Sequence, residues 1–286
     1  MKHIVVYHSR CLDGIFSAAA VYKHLEALNC KDIVCIPQTY KDGFDLQFLD
    51  KDTTLWIVDF SFPYEILKDM DNLCAKVVWY DHHISSESIA LMGDSLPNTE
   101  IHIDIKHSAA YTVWIRLFKT QPLKAITLSE DRDLWRFKFP ETRSFTEGLF
   151  SHHDISPTSD KIRDLLTSDK TVNTYILEGD VLLRAKDNRI DRAINRGYYG
   201  KIKGHNAFFV NSGEDISEIG EKVYLSHEEP IVAVVYNIGE NVVKFSLRSN
   251  TINVEQIARA FHGGGHVGAA GFELKLRMRE VEKMLR

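Results

Sequence analysis

The sequence predicts an α/β chain in two parts, a mostly parallel sheet with helices on both sides followed by a smaller α/β unit with a mixed sheet. Three observations carry this. Short β-branched runs alternate with helical patterns through the first half of the chain. Each run is nearly continuous in apolar character, as strands buried on both faces are. A basic helical segment then separates this half from a second cluster of strands.

Taken in order, residues 3–7, 33–37, 54–58 and 76–80 read as strands, with helices at 15–28, 64–72 and 109–119. Between residues 184 and 203 there are seven basic and two acidic side chains in a helical pattern. That charge run is either a solvated linker helix or a basic strip facing an anion. Beyond it, residues 206–211, 231–236 and 242–247 read as strands, the last two joined by a turn at NIGEN. A helix at 254–261, the glycine cluster HGGGHVGAAGF, a strand near 273–276 and a short final helix complete the unit. The expected division is 1–182, a linker helix at 183–204, and 205–286.

Composition narrows the function. Of 286 residues, 44% are hydrophobic and 26% charged, a globular balance. A net charge of −5 argues against gripping long duplex nucleic acid by bulk electrostatics. The four cysteines, Cys11, Cys30, Cys35 and Cys74, form no CxxC pair, so a reducing compartment is expected rather than a disulfide framework. Apolar stretches are too short to cross a bilayer and the first residues carry no apolar signal region, which makes a cytoplasmic location the expectation.

In open parallel sheets ligands bind beyond the carboxyl ends of the strands, so the residues just past each strand carry the most information. His8 and Asp13 come after the first, Asp59 after the third, and Asp81, His82 and His83 after the fourth. A lone aspartate after a strand is usually a turn residue or a cap. Gathered at one sheet edge, however, these carboxylates would repel one another unless a cation compensated them, and oxygen with imidazole suits Mn, Mg, Fe or Zn. A second histidine pair, His152 and His153, comes after no strand-like run and reads as a loop feature.

The order HSRCLDG, VDFS, YDHH and SEDRD, ending in GGGHVGAAGF, resembles the DHH phosphoesterase superfamily with its DHH-associated C-terminal domain, which includes nano-RNase, RecJ-like and exopolyphosphatase-related branches. The resemblance covers nearly the whole chain. It implies a Rossmann-like N-terminal domain that holds one or two divalent metals, usually manganese with magnesium as the alternative, and hydrolyses a phosphodiester or phosphoanhydride. Carried over residue by residue, it makes Asp59 the bridging carboxylate, with Asp13, His82 and Asp131 completing one metal site. His8 helps the second metal, Asp81 orients the neighbouring imidazoles, and His83 contacts the scissile phosphate. In the C-terminal part it implies an anion held by Gly264, Gly265 and His266, with Arg248 gripping a substrate phosphate.

Two places depart from the pattern or leave a choice. Many relatives carry an aspartate where this chain has Cys11, and the spacing from His8 is shorter. Cys11 is either a ligand that favours a softer ion or a small buried residue with water in place of the missing oxygen, and the second is preferred because free cysteine is more often packed. SEDRD offers Glu130, Asp131 and Asp133; Asp131 is chosen and Asp133 assigned to the local turn. Trp135 and Phe137 stack on a base or, more simply, pack in the core.

The expected activity is hydrolysis of short single-stranded oligonucleotides or small nucleotides by metal-activated water, since the acidic chain suits small substrates. Hydrolysis of polyphosphate or pyrophosphate is the alternative within catalysis. A nucleotide-binding module with weakened turnover is the alternative outside it, with Cys11 as its support, and a homodimer is one expected assembly.

Overall fold

The computed structural model describes residues 1–9, 11–239 and 242–275. The chain divides into two compact units, Met1–Leu183 and Arg184–Arg286.

In the first unit β1 (Lys2–His8), β2 (Ile33–Gln38), β3 (Thr53–Val58), β4 (Lys76–Asp81) and β5 (Thr99–Ile103) form one sheet in the order β2-β1-β3-β4-β5. Every pairing in it is parallel. Alternate residues of the central strands enter two different cores. Val5, Tyr7, Trp56, Val58, Val78 and Tyr80 face one, while Ile4, Val6, Leu55, Ile57, Val77 and Trp79 face the other. Burial on both faces is why these strands read as unbroken apolar runs. The edge strand β5, TEIHI, is only half-buried, and its polar residues break the apolar run that marks the other strands.

Helices α1 (Leu12–Ala27), α2 (Tyr64–Leu73), α3 (Ile84–Ala90), α4 (Ala109–Phe118), α5 (Lys124–Asp133), α6 (Thr142–Phe150), α7 (Asp160–Leu165) and α8 (Val172–Ile194) follow and connect the strands. Helix α1 is buried along most of its length because it serves two neighbours. Its apolar residues share a core with Val5 and Tyr7 of the sheet and with Ala110, Val113 and Trp114 of α4. At Gly14 a Cβ would sit 2.2 Å from the carbonyl oxygen of His8. Glycine therefore lets the first turn of α1 lie against the end of β1, which keeps His8 and Asp13 at the same edge of the sheet.

The chain runs from β1 outward to β2, then returns to place β3 on the other side of β1. Such a reversal opens a crevice at the carboxyl ends of the two strands it separates. His8 ends β1, Asp59 follows β3 directly, and Asp81 ends β4, so topology alone brings three chemistry-bearing positions to that crevice.

In the second unit β6 (Tyr198–Ile202), β7 (His205–Asn211), β8 (Val232–Ile238), β9 (Val242–Arg248), β10 (Gly264–His266) and β11 (Ala269–Lys275) form a sheet in the order β10-β11-β9-β8-β7-β6. It is mixed: β7 and β8, connected through α9 (Ile216–Leu225), run parallel, and the other pairs antiparallel. Helix α10 (Val254–Arg259) precedes the glycine cluster.

The expected linker helix at 183–204 differs from the structure that forms. Helix α8 begins at Val172 and ends at Ile194, and Tyr198–Ile202 is a strand paired with β7. The tyrosines decide this, since aromatic side chains favour a pleated surface and Tyr198 stacks on Phe209 with ring centroids 5.2 Å apart. Nor is the basic strip an open anion site throughout. Arg189 and Lys186 bond to Asp215 and Glu218 at 2.7 Å and 3.0 Å. The expected final helix and residues 240–241 of the NIGEN turn lie outside the described residues. No helix among the described residues is long and apolar enough to cross a membrane.

Substituting Gly14→Ala should destabilise the fold by about 1–3 kcal/mol in chemical denaturation, because the added methyl overpacks against backbone. Gly43→Ala, with nothing within 4 Å of the added atom, serves as the control and should change stability by less than about 0.5 kcal/mol.

Candidate metal centre

Asp59 occupies the centre of the crevice. Its backbone is left-handed, with φ of 53°, a conformation that aspartate tolerates better than most residues, and its amide donates to the Tyr80 carbonyl at 3.0 Å. The side chain is 1% exposed. Oδ1 lies 3.2 Å from Nε2 of His82, and Oδ2 lies 3.5 Å from Nδ1 of His8. The two oxygens thus face different imidazoles, and Oδ2 accepts no hydrogen bond from the described residues.

Three donor groups meet around this carboxylate, one of them Asp59 with Asp81, His82 and His83, and the other two flank it. Asp13, His82 and Asp133 offer ligand atoms within 4.8 Å of one another, and so do His8, Cys11 and Asp59. Asp13 is held by the start of α4, whose Ala109 and Ala110 amides donate to its Oδ2 and Oδ1 at 2.8 Å and 3.0 Å. A helix N-terminus is a favourable place for that negative charge. Asp133, at the end of α5, lies 3.4 Å from Nε2 of His82. Cys11 links the two groups, its Sγ being 3.7 Å from Oδ1 of Asp133.

The expectation that Asp131 is the fourth-motif ligand is corrected here. Asp131 accepts from the amides of Lys138 and Phe139 at 2.9 Å and 3.2 Å and from the Thr142 hydroxyl at 2.5 Å. Its carboxylate is spent on organising the loop after α5, and Asp133 stands at the cluster instead.

The electrostatics follow from this crowding. Two carboxylates about 5 Å apart repel by about 3 kcal/mol at an effective dielectric constant of about 20. Burial, and then Asp59 and Asp133, push the Asp13 carboxyl well above its usual range. Burial and Asp59 likewise raise Asp133. Burial works to raise Asp59 too, but the imidazoles of His8 and His82 outweigh it and hold Asp59 below the ordinary carboxylate range. His82 shows the net field most directly: burial opposes its charged form, yet the hydrogen bond to Asp59 and the nearby carboxylates drive it up to about 10. Burial, with Asp59, Asp133 and Asp13, raises the Cys11 thiol well above its ordinary value. A pocket that pulls a proton onto His82 this strongly suits a divalent cation. The buried Oδ2 of Asp59, which accepts no hydrogen bond from the described residues, and the mixed oxygen and nitrogen donors fit one.

Around the cluster, Asp81 accepts from Nδ1 of His83 and from the backbone amide of His82 at 2.7 Å and 2.8 Å, and from the hydroxyl of Ser86. His83 therefore presents a fixed ring, a quarter of its side chain exposed. Tyr40, unremarked in the sequence, stacks on Phe60 at 4.5 Å and stands 5.6 Å from the ring of His8. Beside Cys11, Asp13 and Asp133 opens a cleft of about 230 Å³ whose wall includes Arg132 and Trp135. Arg132 lies over the Trp135 ring at 4.2 Å and Arg143 over Phe137 at 3.6 Å. Trp135 and Phe137 both have positive φ, 53° and 47°, a strained state for aromatic residues. His152 lies apart, paired with Glu178 at 2.8 Å.

In the second unit, Arg248 ends β9 and directs its guanidinium to the Leu247 carbonyl and the Ser217 hydroxyl at 2.9 Å and 3.2 Å. Gly264 has open space where a side chain would be, and His266 is exposed. Gly265, with φ of 145°, approaches Ala269 so closely that a Cβ would meet its oxygen at 2.6 Å.

The first unit is thus an α/β domain, a parallel sheet covered on both faces with aspartates and histidines converging on its carboxyl edge. Residues 200–286 match the family model of the DHHA1 domain. The uncharacterized protein R106 of Acanthamoeba polyphaga mimivirus is 26% identical over 287 residues, covering 94% of this chain and 66% of that protein's length. Among solved structures, the pGpG-specific phosphodiesterase PggH from Vibrio cholerae superposes with a TM-score of 0.56 at 16% identity, over 100% of this chain and 97% of that one. RecJ from Thermus thermophilus in complex with Mn2+ gives 0.53 at 15% identity, over 99% of this chain and 51% of that one. Residues 200–286 thus form a DHHA1 domain, and the chain as a whole shares its fold with these two solved structures.

Asp133→Asn should weaken Mn2+ binding in calorimetric titration while leaving the fold as stable or more so, since it relieves buried repulsion. Asp131→Asn should do the reverse, costing about 1–3 kcal/mol in denaturation with little change in Mn2+ affinity. Below its raised pKa His82 carries a proton that a cation must displace. Mn2+ affinity should therefore rise with pH through the neutral range, by about tenfold per unit if one proton leaves, and His82→Asn should flatten that slope.

Proposed function

We propose that the chain is a metal-dependent phosphoesterase acting on short single-stranded oligonucleotides or linear dinucleotides. The observation that carries this is Asp59, one buried carboxylate whose two oxygens face separate donor groups. Asp13, Asp59, His82 and Asp133 form the harder of the two positions. An ion held there would act as a Lewis acid toward phosphoryl oxygens and bring the acidity of a water near neutrality.

The chain's own residues supply the rest. Asp81 takes Nδ1 of His83 and fixes its ring, leaving Nε2 as the group that donates to a phosphoryl oxygen. Burial opposes the charged form of His83, but the bond to Asp81 outweighs it and raises the pKa, which favours the donor form. Asp13 stays in place through two helix amides, so its position does not depend on the substrate. The aromatic rings of Tyr40 beside His8 and of Trp135 at the cleft beside Asp133 favour a substrate with bases over inorganic polyphosphate, because rings stack on base faces. PggH, which shares the fold, is described as acting on a dinucleotide, in keeping with this reading. Within the second unit, the open backbone at Gly264 and the exposed His266 are suited to an anion, and Arg248 is a guanidinium partner for phosphate if its present bonds exchange.

With Mn2+ present, a 5′-labelled dinucleotide should be hydrolysed faster than short-chain polyphosphate, and chelation should abolish the reaction. Asp59→Asn should lower kcat at least about 100-fold with the fold intact by circular dichroism. Faster orthophosphate release from polyphosphate would overturn the nucleotide assignment, and turnover unchanged by Asp59→Asn would overturn the catalytic one.

A further inference from the structure

We infer that Cys11, His8 and Asp59 form a thiolate-bearing metal position for a borderline divalent ion of the zinc, cobalt(II) or iron(II) class, rather than for manganese or magnesium. This rests on the preceding reading, in which Asp59 is a shared ligand, and assigns the chemistry of its other side.

The geometry comes first. A ring nitrogen of His8, Sγ of Cys11 and a carboxylate oxygen of Asp59 lie within 4.8 Å of one another, close enough for one ion to reach all three. Oδ2 of Asp59, the oxygen on the His8 side, is buried and accepts no hydrogen bond from the described residues, Nδ1 of His8 standing off at 3.5 Å, so it faces this group with acceptor capacity to spare. Burying a charged acceptor in that state is costly, and a cation removes the cost.

Packing does not account for the cysteine. A thiol that only packs needs no polar neighbour, whereas Sγ of Cys11 donates to Oδ1 of Asp133 at 3.7 Å and stands with ligand atoms of His8 and Asp59. Helix capping does not account for it either. Cys11 occupies the N-cap of α1, where serine, threonine, aspartate or asparagine would bond a free amide; its sulfur, a weak acceptor near the Gly14 amide, makes no cap hydrogen bond. A thiol in that position contributes as a ligand what it does not contribute as a cap.

The donor set then selects the ion. Sulfur, imidazole nitrogen and one carboxylate oxygen suit ions of intermediate softness, while manganese and magnesium prefer oxygen-rich shells. On binding, the Cys11 S–H bond breaks, the sulfur lone pair enters the bond to the ion, and the proton leaves to solvent with no change of oxidation state. The neighbouring group, Asp13, His82 and Asp133 with Oδ1 of Asp59, holds three carboxylates and one imidazole and keeps the preference for harder ions. The two positions therefore differ in metal as well as in place.

The test uses the full-length protein stripped of metal and titrated with Co2+. We expect a near-ultraviolet thiolate-to-cobalt charge-transfer band that saturates with one ion, is lost in Cys11→Ser, and is absent from Cys11→Asp. Cys11→Ser should retain one Mn2+ by electron paramagnetic resonance while its Zn2+ affinity falls about tenfold or more, a loss that even outer partners of a metal can cause. In the wild type, one equivalent of Zn2+ should protect Cys11 from alkylation as read by mass spectrometry, which decides the point even if a variant fails to fold. Co2+ bound without the band, a band that survives in Cys11→Ser, or Cys11 alkylated equally with and without Zn2+ would each overturn the thiolate position and leave the phosphoesterase reading standing. A wild-type protein that binds no divalent ion at all would overturn both.

Discussion

Three carboxylates, those of Asp13, Asp59 and Asp133, surround the largely buried imidazole of His82. The first two side chains are almost wholly buried and the third is 20% exposed. Mutual repulsion of about 3 kcal/mol per close pair is a large fraction of what a folded domain can spare, so the surrounding structure has to offset it. Part of the offset is visible. Amides at the start of α4 meet both oxygens of Asp13, and a protonated His82 meets Oδ1 of Asp59. The remainder falls to His8, whose Nδ1 stands 3.5 Å from Oδ2 of Asp59, beyond a good hydrogen bond. A cluster built this way is more at ease with a cation than without one.

Hydrogen bonding separates the carboxylates that hold the scaffold from those that face the centre. Asp81 binds an imidazole, a backbone amide and the Ser86 hydroxyl, and Asp131 binds two amides and the Thr142 hydroxyl. Their lone pairs are largely taken, and their work is to fix His83 and the loop carrying Trp135 and Phe137. Asp59 is the opposite case, with an unclaimed oxygen at the middle of the crevice. Asp13 is intermediate: one amide per oxygen holds its orientation yet leaves capacity on each. Rigid holders beside open acceptors are what a preorganised charged site requires, because the ligand atoms must stay near one another before any ion arrives.

Sequence reasoning succeeds where a single local signal is enough. Strands β1, β3 and β4 are legible because burial on both faces leaves no polar interruption, and their ends deliver His8, Asp59 and Asp81 through His83 by topology. It fails where a choice turns on helix phase. Asp131 and Asp133 are two residues apart on α5, about 200° around its axis, so only one can face the cluster. Helix α5 is not among the helices its sequence pattern announces, and the donors that claim Asp131 come from Lys138, Phe139 and Thr142, residues placed by the loop that follows. Tyr40 escapes for a similar reason, since its nearness to His8 and Phe60 is a tertiary fact. The C-terminal strands are legible, but the charge run before them outweighs the β-forming tyrosines of β6 and extends the expected helix too far.

Because both donor groups share the one carboxylate of Asp59, they cannot be electrostatically independent. An ion held by Asp13, His82 and Asp133 would lower the negative potential at Oδ2 of Asp59, and loss of the His82 proton would restore part of it. Against that background the identity of the ligand at position 11 matters more than a local substitution would suggest. An aspartate there would add a further carboxylate to an already crowded pocket, whereas a thiol is neutral until an ion arrives and becomes charged only as the ion compensates it. Cysteine thus spares the pocket one buried charge and would still provide an anionic donor to a bound ion. The departure at Cys11 and the crowding around Asp59 are in this sense one feature of the same electrostatic arrangement.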